Sequence, residues 1–206
     1  LTGRSKLDQV VEHLHEVQDY VPNIQANLIL GIDSDAGDEP FELTREFIRR
    51  TPGIFQCLFV PVPYGGTPLF DALLADGRIL TGMPFAFYFM PHLTLILKHY
   101  DALTYYQKMA ALFDWLVSGE MLRRRWAAKR HWFVKTANFY RTLATHSAAN
   151  TFRAMARQLA EDAELRAFHA GETQTLPAVY AAEYQRQLGR YSELMPIEGS
   201  RPVLDQ

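Results

Sequence analysis

The chain has 206 residues, of which 48% are hydrophobic, 13% aromatic and 21% charged. That composition supports a packed core and excludes a disordered chain, while a formal net charge of −2 selects no class of partner. The single cysteine, Cys57, excludes an internal disulfide and any multi-cysteine metal or cluster site within the chain, and fits a reducing, cytoplasmic setting.

The chain opens at Leu1, without a methionine or a signal-peptide pattern, and runs at once into the helical apolar period of Leu7, Val10, Val11, Leu14 and Val17. An excised domain or a truncated frame is therefore expected. Pro22 ends that helix. Ile24–Ile32 then reads as a strand, with Ile24, Ala26, Leu28, Leu30 and Ile32 on one face and Ile29 on the other. Apolar residues on both faces predict a strand covered on both sides, as in a parallel sheet. Asp38 and Glu39 suit a helix start, Pro40 fits its first turn, and Phe41, Thr44, Phe47 and Ile48 are expected to face inward. Thr51-Pro52-Gly53 closes this helix, and Ile54–Val62 is a second apolar strand. Strand, helix and strand make a βαβ unit. Two strands cannot form a stable α/β sheet alone, so further strands are expected upstream of Leu1 or in another chain.

Pro63-Tyr64-Gly65-Gly66-Thr67-Pro68 reads as a turn-rich loop before a short helix, Leu69–Ala75, closed by Gly77. The character changes near Gly82, which places a boundary between an α/β part, 1–82, and a mainly helical part, 83–206. Pro84–Leu97 looks partly strand-like. Its apolar stretch of about a dozen residues from Phe85, broken by Pro91 and His92, is too short to span a bilayer, which takes about 20. Beyond Tyr100 three helical stripes are expected. They are Leu103, Tyr106, Ala110, Phe113 and Val117; Phe152, Met155, Leu159, Leu165 and Arg166; and Tyr180, Tyr184, Leu188 and Tyr191.

Three segments are candidates for chemistry. Loops at the carboxyl ends of parallel strands carry ligand contacts, which puts Asp33 and Asp35 in position to accept hydrogen bonds from ribose hydroxyls or ammonium groups. For Asp35 and Asp38, capping of the next helix is the other role open. The Pro63–Pro68 loop lacks the lysine and serine or threonine of a phosphate loop and reads as a turn. The run Arg123, Arg124, Arg125, Lys129, Arg130, Lys135 and Arg141 alternates with Trp126, Trp132, Phe133, Phe139 and Tyr140. Such a helix can bind nucleic acid or an anionic membrane surface, but a solvated face with its aromatics turned into the core is the favoured reading. The histidines form no metal-binding or nucleophile pattern, and Cys57 is expected to be buried and inert.

Taken together, Asn27-Leu28-Ile29-Leu30-Gly31-Ile32-Asp33-Ser34-Asp35, Pro61-Val62-Pro63-Tyr64-Gly65-Gly66-Thr67-Pro68-Leu69-Phe70 and Asp76-Gly77-Arg78-Ile79-Leu80 resemble the closing half of the radical S-adenosylmethionine barrel. The resemblance is to the cobalamin-binding-domain type and covers about residues 5–80. It implies the last strands and helices of a partial (β/α) TIM-like barrel followed by a helical extension. Its cofactors would be S-adenosylmethionine and a [4Fe-4S] cluster, with cobalamin in some members. The cluster-binding Cys-x-x-x-Cys-x-x-Cys loop is not in this sequence, so this part alone would be inactive. Ile29, Gly31, Val60 and Pro61 would lie on the cofactor side. Asn27 stands where the family's adenosine-binding motif begins with glycine, and Ser34 stands for its glutamate. Asp33, Asp35, Tyr64, Thr67, Tyr88 and His92 would face the substrate, with Tyr105 a further contact. Implied partners are the N-terminal barrel half, a small-molecule or lipid-like substrate and a reductant such as flavodoxin or ferredoxin. A non-catalytic module that binds nucleic acid or protein through residues 121–141 is the alternative.

Overall fold

A computed structural model describes residues 3–128, 130–197 and 201–202; Leu1 and Lys129 of the basic run lie outside the described residues. The chain is an α/β protein in which helices outweigh a sheet of two strands. In order, the elements are α1 (Gly3–Gln18), β1 (Gln25–Ile29), α2 (Glu39–Arg50), β2 (Phe55–Phe59), α3 (Pro68–Ala75), a 3-10 turn at Phe85–Phe87, α4 (Ala102–Leu116) and α5 (Gly119–Ala127). There follow α6 (Trp132–Glu161), α7 (Ala163–His169), α8 (Ala178–Leu188) and a second 3-10 turn at Gly189–Glu193.

The two strands pair in parallel from Gln25 opposite Phe55 to Ile29 opposite Phe59, with α2 as the crossover. Both strands are shorter than the apolar runs suggest. Bonds from Phe55 N to the Ile24 carbonyl and from Leu30 N to the Phe59 carbonyl carry the ladder slightly further. Parallel register puts Ala26 and Leu28 on one face with Gln56 and Leu58. Gln25, Asn27 and Ile29 share the other with Phe55, Cys57 and Phe59. The first face packs into the core. The second is open: Ile29 is 54% exposed, and Phe55, Cys57 and Phe59 are half-buried. The expectation of a strand covered on both sides is therefore corrected. A run of apolar residues reports their type, while the cover depends on a partner layer, and among the described residues none lies over Ile29.

α2 turns Phe41, Thr44, Phe47 and Ile48 inward as its spacing requires. Asp38 precedes it without capping it; its carboxylate instead pairs with Lys108. Thr51 ends the helix by donating its hydroxyl hydrogen to the Phe47 carbonyl, at 2.7 Å.

One hydrophobic core runs from Val11 on α1 to Tyr184 on α8, across the boundary near Gly82. Residues on both sides of that glycine pair with each other: Leu80 N donates to the Thr94 carbonyl, and Ile96 N to the Arg78 carbonyl. The strand-like character of Pro84–Leu97 amounts to this short antiparallel bridge between Ile79 and Leu95, while Phe85–Phe87 is a 3-10 turn. Gly82 itself lies under the segment before α8, where a Cβ would come within 2.0 Å of the Gln174 carbonyl oxygen.

Helices α4 and α6 form the largest helical interface. Phe113 stacks on Phe152 with centroids 4.8 Å apart, and Tyr106 lies beside the same ring. Tyr106 also ties the preceding loop, donating to the Pro91 carbonyl and accepting from Leu93 N. Two expected stripe positions differ. Arg166 serves as a tether to the carbonyls of Leu159 and Ala160, and Tyr191 is half exposed in the last 3-10 turn.

Candidate functional site

The carboxyl ends of β1 and β2 carry two loops, and each is held by its own side chains. In the first, Gly31 adopts φ +94°, and a Cβ there would lie 2.9 Å from the Tyr105 ring. Glycine is required twice, by the left-handed backbone and by the close approach of Tyr105. Tyr105, fully buried, donates its hydroxyl hydrogen to the Leu30 carbonyl at 2.8 Å. The Asp35 carboxylate accepts from Gly31 N at 2.8 Å and Ile32 N at 3.3 Å, so it braces its own loop and does not cap α2. Asp33 accepts two 2.7 Å bonds from the Arg78 guanidinium. That paired geometry holds its carboxyl below the usual carboxylate range. Arg78 also donates to the Ile96 carbonyl, His99 reaches the Asp33 carbonyl and Tyr100 donates to the Gly37 carbonyl. Asp33 therefore joins the β1 loop to the 78–96 bridge.

In the second loop Val60 and Pro61 are buried and Tyr64 is 60% exposed. Thr67 is the N-cap of α3: its hydroxyl accepts from Phe70 N at 3.3 Å and donates to the Tyr64 carbonyl at 2.7 Å. A Cβ at Gly65 or Gly66 would meet nothing, so no close approach explains this glycine pair, although Gly66 has φ +79°. Ile29, Ile32, Tyr64 and Leu69 leave exposed apolar surface at this end of the sheet.

Tyr88 and His92 lie elsewhere, within the helical part. The His92 ring meets Phe87 at 4.8 Å, Phe89 at 5.5 Å and Tyr180 at 5.7 Å. His169 shares 2.8 Å contact between its Nε2 and the Tyr180 hydroxyl. Burial drives both imidazoles towards the neutral form, His92 down to about 4 and His169 to about 3, and pushes Tyr88 up to about 12. Among the described residues the Nδ1 atoms of both histidines and the Tyr88 hydroxyl have no hydrogen-bond partner. A mostly apolar cavity of about 220 Å³ lies against His169, lined also by Leu93, Leu97, Tyr100 and Leu159. Sequence reasoning reached His92 and Tyr88 but missed His169 and Tyr180, whose pairing across helices α7 and α8 leaves no motif.

The basic aromatic run departs from the favoured reading in its aromatics: Arg123 and Arg124 are exposed as that reading has them, but the rings are not turned into the core. Trp126, Trp132, Phe133 and Tyr140 are 59–68% exposed and Phe139 37%, whereas Arg125 is 4% exposed. Arg125 donates to the Thr142 hydroxyl and to Gln56 Oε1, and its guanidinium lies 5.9 Å from the Phe55 ring centroid. Burial lowers it to about 10. Arg130 donates to the carbonyls of Gln18, Val21 and Pro22, which anchors the start of α6 to the end of α1.

No protein-family model, curated protein or solved structure shows significant similarity to this chain. Among the described residues no group of three or more His, Cys, Asp or Glu side chains is placed to hold a metal ion. Cys57 sits half-buried on the open sheet face, not in the core as expected, and burial raises its thiol pKa. One protonated thiol does not make a ligand set, so the residues present do not fit an iron–sulfur cluster.

Gly31 gives a direct test of this loop. Gly31→Ala is expected to cost about 2–4 kcal/mol, from the left-handed backbone and the contact with Tyr105. Chemical denaturation measures it; an unchanged midpoint would mean that Tyr105 does not pack there.

Proposed function

We propose that this chain supplies the closing strands and the helical cover of a radical S-adenosylmethionine enzyme, acting with the remainder of its own polypeptide. One observation carries the reading. The β1–β2 pair is packed by helices on one face, open on the other, and unpaired along both outer edges among the described residues. In a (β/α) barrel each strand turns one face to the helices and one to the interior, with neighbours on both edges. Ile29 and Phe59 would then face the barrel interior, while the Phe55 end of the face lies under the Arg125 and Arg141 guanidinium groups. The loop holding Asp33 and Asp35 and the loop with Tyr64 and Thr67 would stand at its functional rim.

On this reading the labour is divided. Cluster ligands have to come from another part of the polypeptide, together with the reductant-docking surface for a flavodoxin or ferredoxin. This part would contribute Ile29 and Gly31 to the cofactor side, with Val60 and Pro61 shaping it through buried packing. Its apolar cover would keep water from a reactive intermediate. Substrate contacts would fall to the exposed Tyr64 and the rim of the β1 loop; Tyr88 and His92 would act through packing of the cover.

The polypeptide containing this chain, loaded anaerobically with iron and sulfide and reduced, is expected to cleave S-adenosylmethionine to 5′-deoxyadenosine and methionine. Ile29→Asp is expected to lower that cleavage at least about tenfold without lowering the melting temperature, because the side chain is half exposed. A cluster-loaded polypeptide that makes no 5′-deoxyadenosine, or an Ile29→Asp variant with full activity, would contradict the reading.

A further inference from the structure

Charge in this sequence is segregated. Residues 121–160 carry nine Arg and Lys and no Asp or Glu, leaving 12 Arg and Lys against 23 Asp and Glu elsewhere, a net −11. Within that positive segment the exposed side chains are large and apolar. On α6, Trp132, Phe139 and Leu143 recur at i, i+7 and i+11, and Phe133 and Tyr140 flank them seven residues apart. Positions at these spacings share one helical face, here about 16 Å long. Trp126 on α5 leans on Phe139, with centroids 6.4 Å apart.

The aromatic rings meet edge to face, Trp132 on Phe133 at 89° and Phe139 on Tyr140 at 79°. They form two hydrocarbon clusters two helical turns apart, Trp132 with Phe133 and Phe139 with Tyr140 and Trp126, not the parallel platforms between which nucleic-acid bases stack. Arg123 and Lys135 stand three residues from Trp126 and Trp132 on their helices, and the one carboxylate lining the cleft beside Lys135 is Asp19, from the end of α1. Tyr20, 87% exposed, extends the surface beside His131 and Lys135. Burying Trp, Phe and Leu while holding cationic side chains at the rim is what an anionic lipid headgroup layer offers. No helix among the described residues is long and apolar enough to cross a membrane, so the contact is peripheral.

We infer that the α5–α6 face docks on an anionic lipid surface, with Trp126, Trp132, Phe133 and Phe139 entering the headgroup layer and Arg123 and Lys135 pairing with lipid phosphates. This inference is independent of the barrel reading. It needs only the orientation of the two helices, which the buried Arg125 and the carbonyl contacts of Arg130 fix from behind.

Sedimentation with vesicles tests it, using phosphatidylcholine alone and phosphatidylcholine mixed with phosphatidylglycerol. The chain is expected to sediment with the mixed vesicles and to show a blue-shifted tryptophan emission from Trp126 and Trp132. The double variant Trp132→Ser/Phe133→Ser should weaken that binding at least about tenfold with an unchanged melting temperature, since both side chains are exposed. Arg123→Glu/Lys135→Glu should remove the preference for phosphatidylglycerol. Failure to sediment with either vesicle, binding that ignores these substitutions, binding to single-stranded RNA without vesicle binding, or a dimer that buries Trp132 would each overturn the inference.

Discussion

Acidification from pH 7 to about pH 4 is expected to unfold this protein, with His92 and His169 as the main cause. Both imidazoles are neutral inside the fold, with values near 4 and 3, while an unfolded histidine titrates near 6.5. Below about pH 6.5 the unfolded chain therefore binds protons that the folded chain refuses. Stability is complete above that value and falls as pH drops towards the folded values. Two such groups give a slope of about 3 kcal/mol per pH unit between roughly pH 6 and 4, against a total stability of about 5–15 kcal/mol for a typical domain. The carboxylates of Asp33 and Glu183, held below their usual range by Arg78 and Arg186, add to the loss only at lower pH; Asp33 is half exposed and Glu183 partly buried. The check is a set of denaturant midpoints across this range. Among the described residues no hydrogen bond reaches the His92 side chain, so His92→Phe should leave stability near neutral pH little changed. It should roughly halve the acid slope. A midpoint flat from pH 7 to 4.5 would mean that the two rings are accessible to protons.

Gly82→Ala is expected to be among the most destabilising single-methyl additions in the chain. The new Cβ would sit 2.0 Å from the Gln174 carbonyl oxygen and 2.9 Å from its carbon, both backbone atoms, with the Phe168 ring 3.1 Å away. The segment above cannot simply lift. The Gln174 side-chain oxygen accepts from Gly82 N and from the Thr81 hydroxyl, both at 3.0 Å. Overpacking against backbone costs about 3 kcal/mol or more, a fall in melting temperature of about 10 °C at this chain length. Gly65→Ala is the control, because its Cβ would meet nothing, and its melting temperature should stay within about 2 °C of the parent. Equal behaviour of the two variants would mean that the 81–82 turn and the Gln174 segment are not in contact.

Gly82 also shows what local sequence can and cannot report. A change of composition marks it as a boundary. The contact that makes it glycine comes from a residue 92 positions later, which no window along the chain contains. By contrast, the βαβ order and the inward face of α2 were legible, because both follow from local periodicity and from Pro40 and Thr51-Pro52-Gly53 at the helix ends. The open face of the sheet was not, since Ile29 looks the same whether a second layer covers it or not. In the basic aromatic run, residue type pointed the wrong way. Aromatics are usually core and arginines surface, yet here Trp132 is out and Arg125 in, because Gln56 and Thr142 supply the acceptors that make its burial tolerable. Asp33 was legible as a strand-end residue, but its Arg78 partner lies 45 positions away, beyond the reach of spacing.

On the proposed reading, β1 and β2 close a barrel whose chemistry is ligated elsewhere in the same polypeptide. Reading the coding sequence upstream of Leu1 in the same frame tests it most directly. A Cys-x-x-x-Cys-x-x-Cys triplet about 100–150 residues before Leu1, the span that four further strand–helix units occupy, is the predicted result. A start codon just ahead of Leu1, or an open frame without those cysteines, would contradict it and leave the aromatic face of α5 and α6 as the functional surface of this protein.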